Sequence, residues 1–300
     1  MPRICVLIVN YLNYRDTLRY VQNLQAQEGV RLSILVVDNA SPNESAAVLA
    51  RELPRFPNTA FLKNGRNGGY AYGVNSGLRY IAGKAADFIL ISNNDIRLED
   101  PLLIRNLARE YPKLPGAAFI GPSMYVGGKE DQKHQAWKIP TFRDDALASL
   151  RLLDIPGRLL GCSNRYAFPK TRRGTEPVDC LSGSFFLGSK EVFQLLGPWD
   201  EQTFLYVEES ILGWKIKRMG RQNYLVRSLR FDHDFGRTTR TAHSLAQLQQ
   251  YWMESTIYFQ NTYRGVPLRR LAVLRVLFRL WAIETFFVLL LRKLLCRFRC

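Results

Sequence analysis

Blocks of apolar residues separated by amphipathic stretches fill the first 120 residues. Ile4–Val9 is apolar throughout, the pattern of a strand covered on both faces. Arg15–Gln27 follows, with Leu18, Val21 and Leu24 on one side at helical spacing. Leu32–Val37 repeats the buried-strand pattern, Ala60–Leu62 is a weaker third strand, and Phe88–Ser92 is a fourth. Ser41-Pro42-Asn43-Glu44 has the order of a helix start: Ser at the cap, Pro at the first position, an acid in the first turn. Gly69–Ala82 and Pro101–Glu110 read as further helices. Alternating strands and helices predict an α/β fold, a mostly parallel sheet with helices on both faces.

Residues 121–178 carry several Gly and Pro and read as loops and short elements around a site. Regular patterning returns at Val178–Gly188, in a helix after Glu208 and in a helix over Ser244–Tyr263. Leu268–Cys300 reads as one or two helices. No internal repeat or low-complexity tract stands out.

Composition narrows the partners. At 47% hydrophobic and 12% aromatic the chain has material for a large core, which excludes disorder. Its net charge is +16, and residues 264–300 hold nine Arg or Lys against one acid, Glu284. These cations flank apolar runs rather than alternating with aromatics. That suits an anionic membrane surface and argues against nucleic acid. Leu280–Leu291 is apolar except for Glu284 and Thr285. As a helix it would extend about 18 Å against the roughly 30 Å of a bilayer core. It would therefore lie in or dip into the anionic leaflet, or else pack on the rest of the chain or on a partner copy. Cys5 and Cys180 sit in apolar runs as buried thiols, which points to a reducing compartment and no zinc site. No secretory pattern precedes Ile4, so the expectation is a cytoplasmic protein at the inner face of a membrane.

Candidate chemistry sits at strand ends, where open parallel sheets bind ligands. Strand one ends in Asn10-Tyr11, strand two in Asp38-Asn39-Ala40-Ser41 and strand four in Ser92-Asn93-Asn94-Asp95. A single acid there is often only a helix cap. Three polar ends on one edge point to a site. The loop Asn67-Gly68-Gly69-Tyr70 leads into a helix and either approaches a pyrophosphate or is a plain turn. One carboxylate, Asp95, suits a hard Mg2+ or Mn2+ shared with phosphate oxygens. Glu208 and Glu209 open a helix striped by Leu212, Ile216 and Met219, where acids also favour the helix dipole. Tyr11, Trp199, Tyr206 and Trp214 are either sugar-stacking or core residues. His134 and His243 carry no assigned role.

In these residues the chain resembles family 2 glycosyltransferases of the GT-A fold. The matching stretches include Val36-Val37-Asp38-Asn39-Ala40-Ser41, Asn67-Gly68-Gly69-Tyr70-Ala71-Tyr72-Gly73-Val74-Asn75, Ile91-Ser92-Asn93-Asn94-Asp95, Leu181-Ser182-Gly183-Ser184 and Phe204-Leu205-Tyr206-Val207-Glu208-Glu209. Their order is similar to that of bacterial surface-polysaccharide enzymes, including the rhamnosyltransferase-like group. The resemblance implies an inverting, metal-assisted transfer from a dTDP- or UDP-linked sugar to a lipid-linked, lipopolysaccharide or polysaccharide acceptor. Hexosyl or N-acetylhexosaminyl transfer from a UDP-sugar, and a non-catalytic membrane adaptor, stay open. A nucleotidyltransferase is disfavoured, because Asn10-Tyr11-Leu12-Asn13 lacks the basic Gly-rich loop such enzymes carry after strand one.

The resemblance also implies roles. Asp38 would bond the nucleobase or ribose, with Asn10, Tyr11, Asn67, Asn75, Asn94 and Gly183 around the donor. Asn93-Asn94-Asp95 stands in place of a D-x-D motif, so Asp95 would hold the metal and Asn93 lie near the ribose. Glu209, where the family usually has Asp, would take the acceptor proton with Glu208 beside it. His233, in a His-x-x-Gly-x-Thr segment, would join the metal. Arg237 and Arg240 would face the diphosphate or solvent. Residues 1–240 would form the catalytic domain, divided near 120 into nucleotide-sugar and acceptor halves. Residues 241–300 would form a helical, membrane-associating region, and a homodimer is left open.

Overall fold

The computed structural model describes residues 1–150, 154, 156, 160, 165, 174–233 and 243–297, and side chains of the last helix as far as Glu284, apart from Ala282. The first half follows the apolar blocks. Strands β1 (Arg3–Asn10), β2 (Arg31–Asp38), β3 (Thr59–Lys63) and β4 (Phe88–Ser92) alternate with helices α1 (Tyr14–Gln25), α2 (Ser45–Glu52) and α3 (Tyr70–Ile81). A short β5 (Ile96–Arg97) and α4 (Leu103–Glu110) follow. The second half adds β6 (Ala117–Val126), β7 (Lys129–Glu130), β8 (Ala136–Trp137), α5 (Phe142–Ala148), β9 (Thr175–Val178), β10 (Cys180–Leu181) and β11 (Phe185–Ser189). It continues through α6 (Lys190–Leu196), α7 (Glu208–Arg218) and β12 (Gln222–His233) to two final helices, α8 (Leu245–Thr262) and α9 (Leu268–Arg297).

The main sheet has the order β3-β2-β1-β4-β11-β6-β12-β5. β3, β2, β1 and β4 pair in parallel, as do β6 and β12, while β11 runs antiparallel between β4 and β6. These six parallel strands therefore end on one edge, and β11 begins there. Side chains alternate across β1. Ile4, Val6 and Ile8 pack with Val21 and Leu24 of α1, Leu49 of α2 and Leu107 of α4. Cys5 and Leu7 pack on the opposite side with Val74 of α3, Phe193 of α6 and Ile216 of α7. Each fully buried Leu or Ile contributes about 1.5–3 kcal/mol. Helix α3 lies so close to β1 that a Cβ at Gly77 would fall 2.2 Å from Leu7 Cδ1.

Three expectations are corrected or refined. Ser41 does not cap α2, which starts at Ser45 behind Glu44 without a side-chain cap. Its backbone N–H and hydroxyl instead donate to the buried Asp38 carboxylate at 2.9 and 2.7 Å, because a carboxylate out of water needs donors. The 121–178 region begins inside the buried strand β6, whose Gly121 and Pro122 read as loop residues. Pro122 pairs with Val226 just where β12 slips in register, so the residue without an N–H sits at a bulge. Finally, Leu268–Arg297 is a single helix.

The C-terminal helices are not detached from the sheet. Ser244 caps α8 with a reciprocal Gln247 capping box. Ser255 Oγ donates to the Leu205 carbonyl (2.9 Å) and Gln260 Nε2 to Asp145 Oδ2 (2.6 Å). Leu271, Leu274 and Phe278 of α9 are buried, with Phe278 edge-on to Trp252 of α8 at 4.8 Å between centroids.

Candidate active site

The shared strand edge opens into a cavity of about 500 Å³. On one side it is lined by Tyr11 after β1, Asn67 before α3, and Asn93, Asn94 and Asp95 after β4. His233 closes this side from the end of β12. The short β5 sets its position, because Ile96 pairs with His233 in the ladder. His233 Nε2 thereby lies 3.1 Å from Asp95 Oδ1, both side chains under 10% exposed, and its Nδ1 lies 3.2 Å from Met124 Sδ.

This pair fits a hard divalent cation. Cis ligands on a six-coordinate ion with bonds of about 2.1 Å lie about 3 Å apart, a separation close to the 3.1 Å between His233 Nε2 and Asp95 Oδ1. Among the described residues no third His, Cys, Asp or Glu completes a cluster. Further coordination would fall to diphosphate oxygens and water.

The opposite side is built by the loop before α7. Tyr206 and Val207 both take left-handed backbone (φ 72° and 73°), uncommon for non-glycine residues and concentrated at functional sites. They deliver Glu208 and Glu209 into the cavity at the N-terminus of α7. Glu209 Oε1 accepts from the Gly183 N–H at 3.1 Å. Glu208 is buried, with no hydrogen-bond partner on Oε1 among the described residues. Burial, and then the Glu209 charge, pushes Glu208 well above the usual carboxylate range. Burial also raises Glu209, against the backbone N–H donors and Arg165.

Tyr70, the first residue of α3, spans the two sides. Its hydroxyl donates to the Gly183 carbonyl (3.1 Å) and approaches Asn93 Oδ1 (3.4 Å). Burial raises its phenol, and the charges of Glu209, Glu208 and Asp95 raise it further. One hydroxyl thus senses all three carboxylates.

Not every residue singled out in the sequence reaches the cavity wall. Asn10 and Asp38 are fully buried. Asn10 Nδ2 donates to Asp38 Oδ2 at 2.7 Å, and Thr17 Oγ1 donates to Asn10 Oδ1 at the same distance. With the two Ser41 bonds, this network occupies the Asp38 carboxylate and braces the ends of β1 and β2. Asn94 reaches the wall while donating to Thr17 Oγ1 (2.8 Å). Asn75 bonds the Trp199 backbone on both its N–H and carbonyl (2.8 and 2.9 Å), anchoring α3 to the 199–201 turn. Trp199 is a core residue against Phe186. Trp214 packs edge-on to Tyr263, whereas Tyr11 and Tyr206 line the cavity. Arg237 and Arg240 lie outside the described residues.

Other wall residues had no assignment. Lys133, His134, Trp137 and Arg165 come from the irregular stretch, and His243, Leu248 and Trp252 from the α8 end. Trp137 Nε1 donates to Ser210 Oγ (3.2 Å). Tyr11 stacks on His243 at 6.2 Å. The one available signal was aromatic and cationic residues in a Gly- and Pro-rich segment beside polar strand ends.

Comparison with known proteins agrees with this geometry. The description "Glycosyl transferase family 2" matches residues 5–197, well over half the chain. An N-acetylglucosaminyl-diphospho-decaprenol L-rhamnosyltransferase of Mycobacterium tuberculosis is 24% identical over 230 residues, 72% of this chain and 70% of that protein. The low-salt glycan biosynthesis hexosyltransferase Agl10 of Haloferax volcanii is 26% identical over 216 residues, 71% of this chain and 61% of that one. The mannosyltransferase PcManGT from Pyrobaculum calidifontis, in complex with GDP-Man and Mn2+, superposes with a TM-score of 0.58 at 15% identity. The match covers 91% of this chain and 68% of that chain, and it is a likeness of fold.

Proposed function

The chain belongs to glycosyl transferase family 2, and from that premise we propose that it transfers a rhamnosyl or hexosyl group, with inversion, from a dTDP- or UDP-linked sugar to a lipid-linked glycan. The observation that carries this reading is one cavity with the Asp95–His233 pair on one side and the buried Glu208 and half-buried Glu209 on the other. Asp95 and His233 would hold Mg2+ or Mn2+, which supplies neutralisation of the charge that develops on the departing diphosphate.

Glu209 is the general base. It takes the proton of the acceptor hydroxyl as that oxygen attacks the anomeric carbon, and the bond to the diphosphate oxygen breaks on the opposite face. A base raised by burial is closer to the working pH than an ordinary carboxylate, which favours proton transfer. The Gly183 N–H holds Glu209 in place, and Glu208, buried beside it and favoured in its protonated form, keeps water from its neighbour. Tyr11, Asn67, Asn93, Asn94 and Gly183 shape the donor side. Asn10, Asp38 and Asn75 act from behind it, fixing the strand ends and the α3 anchor. Lys133, His134 and Arg165, with Trp137 and Trp252, suit an acceptor with a sugar face and an anionic linkage. The Mycobacterium relative, named for a diphospho-decaprenol substrate, supports that choice. The Haloferax relative supports the hexosyl alternative.

Residues 1–240 form the catalytic domain in this reading, with 241–300 as a helical region that also supplies cavity wall. Among the described residues no helix is long and apolar enough to cross a membrane. In this reading a lipid-linked acceptor is met at the anionic inner face of the membrane, approached peripherally through the basic residues of 268–300.

A thermal-shift panel of UDP, dTDP and GDP, with and without Mn2+, tests the donor site. Binding to the native state raises the melting temperature by mass action. A Mn2+-dependent shift with one nucleotide, lost in Asp95→Ala and His233→Ala, is the expected result. No shift with any nucleotide in folded protein would replace this reading with a non-catalytic adaptor.

A further inference from the structure

A second cavity, of about 510 Å³, opens between α8 and α9, outside the transfer site. Met253 and Ile257 of α8 and Leu268 and Leu271 of α9 give it an apolar lining, and Arg275 and Arg279 give it two cations. Neither arginine makes an ion pair or hydrogen bond among the described residues, and both are exposed. The acid in the lining is Glu254, which accepts from Gln250 Nε2 at 2.8 Å. Beside this cavity, the outward face of α9 carries Val273, Val276, Leu280 and Ile283, each 44–54% exposed. Their spacing puts them on one stripe, opposite the buried Leu271, Leu274 and Phe278.

We propose that the α8–α9 cavity binds one anionic phospholipid, its phosphate on Arg275 and Arg279 and its acyl chain along Met253, Ile257, Leu268 and Leu271. The proposal rests on the peripheral-membrane reading above and adds a defined lipid site to it. With the lipid seated, α9 lies in the plane of the bilayer, and its exposed stripe enters the headgroup boundary. Charge selects this occupant over a second copy of the chain. Arg275 and Arg279 lie one turn apart in the cavity lining on α9, so a two-fold contact that pairs this face with itself would bring arginines against arginines. The bilayer would also bear on the transfer site, because Trp252 lines the active cavity and packs on Phe278 of α9.

Vesicle co-sedimentation of the full chain tests the site, with phosphatidylglycerol compared against phosphatidylcholine. Two variants separate a built site from diffuse attraction. Arg275→Lys with Arg279→Lys keeps the charge but loses the planar fork that matches a phosphate. Asn261 also lines the cavity, and Asn261→Trp fills it without changing charge. Wild type should prefer phosphatidylglycerol, and each variant should lose about tenfold in partitioning while keeping its melting temperature and its nucleotide-induced shift. Variants that bind phosphatidylglycerol as wild type does would overturn the lipid site and leave the peripheral reading standing. Wild type that binds neither vesicle would overturn both. A concentration-dependent wild-type dimer abolished by Asn261→Trp would assign the cavity to a second copy and overturn the proposal.

Discussion

Gly69 is where the two sides of the transfer cavity touch through backbone alone, and replacing it with Ala tests whether that contact sets the site. Its φ of 91° and ψ of 179° lie in a region open essentially only to glycine. An added Cβ would fall 2.3 Å from the Phe204 carbonyl oxygen and 2.8 Å from the Phe204 Cα, so backbone must move. The Tyr70 N–H that donates to the same carbonyl at 3.0 Å would be displaced with it. Strained backbone costs about 1–3 kcal/mol and the lost bond about 1 kcal/mol, together about 2–4 kcal/mol. At about 2 °C per kcal/mol for a chain of this size, the melting temperature should fall by roughly 4–8 °C. Gly83→Ala is the control. Nothing lies within 4 Å of its added Cβ, and it should melt at or slightly above wild type. Phe204 stands two residues before the left-handed Tyr206–Val207 step, so the displacement should reach Glu208 and Glu209. Transfer measured well below the melting transition should therefore fall by more than the loss of folded protein explains. Gly69→Ala melting within about 1 °C of wild type, with full transfer activity, would refute the idea that this backbone contact joins the donor and base sides.

Two further substitutions separate the adjacent acids. Glu209→Gln keeps an acceptor for the Gly183 N–H but removes the proposed base, so initial transfer rates should fall about 10²–10⁴-fold with the nucleotide-induced thermal shift retained. Glu208→Gln should act on stability through pH. Burial and the Glu209 charge raise the Glu208 pKa, so the fold favours its protonated form. That stabilisation is complete below the ordinary carboxylate range and is lost as pH rises through the elevated folded value. Melting curves across pH should show Glu208→Gln above wild type at alkaline pH and converging with it in acid.

The donor side of the fold was legible because its strands are covered on both faces. Such strands read as unbroken apolar runs, and the polar residues that end them fall together on the sheet edge. Asp38 shows the limit of that reasoning. An acid at a strand end is visible in sequence, but whether its oxygens face a ligand depends on neighbours far along the chain, and Asn10 and Ser41 occupy them. Strand β6 was hidden by Gly121 and Pro122, tolerated there because the β12 register slips beside them. The Asp95–His233 contact joins residues 138 apart through a two-residue ladder, which leaves no period to read. Only the ordered resemblance put the two together.

The walls followed a different rule. Trp137, His243 and Trp252 reach the cavity through a short β-ladder, a segment before a helix cap and a docked helix, positions set by tertiary packing rather than by local pattern. This division has a physical consequence for the reaction. Groups that meet a leaving diphosphate must hold their spacing closely, and strand ends inherit such spacing from a sheet whose rows are locked by backbone hydrogen bonds. Groups that meet an acceptor must match its shape, and α8 brings Leu248 and Trp252 to the cavity from outside the sheet. Substitutions in α8 should therefore redirect which acceptor is used, while substitutions at Asp95 or His233 should weaken transfer to every acceptor alike.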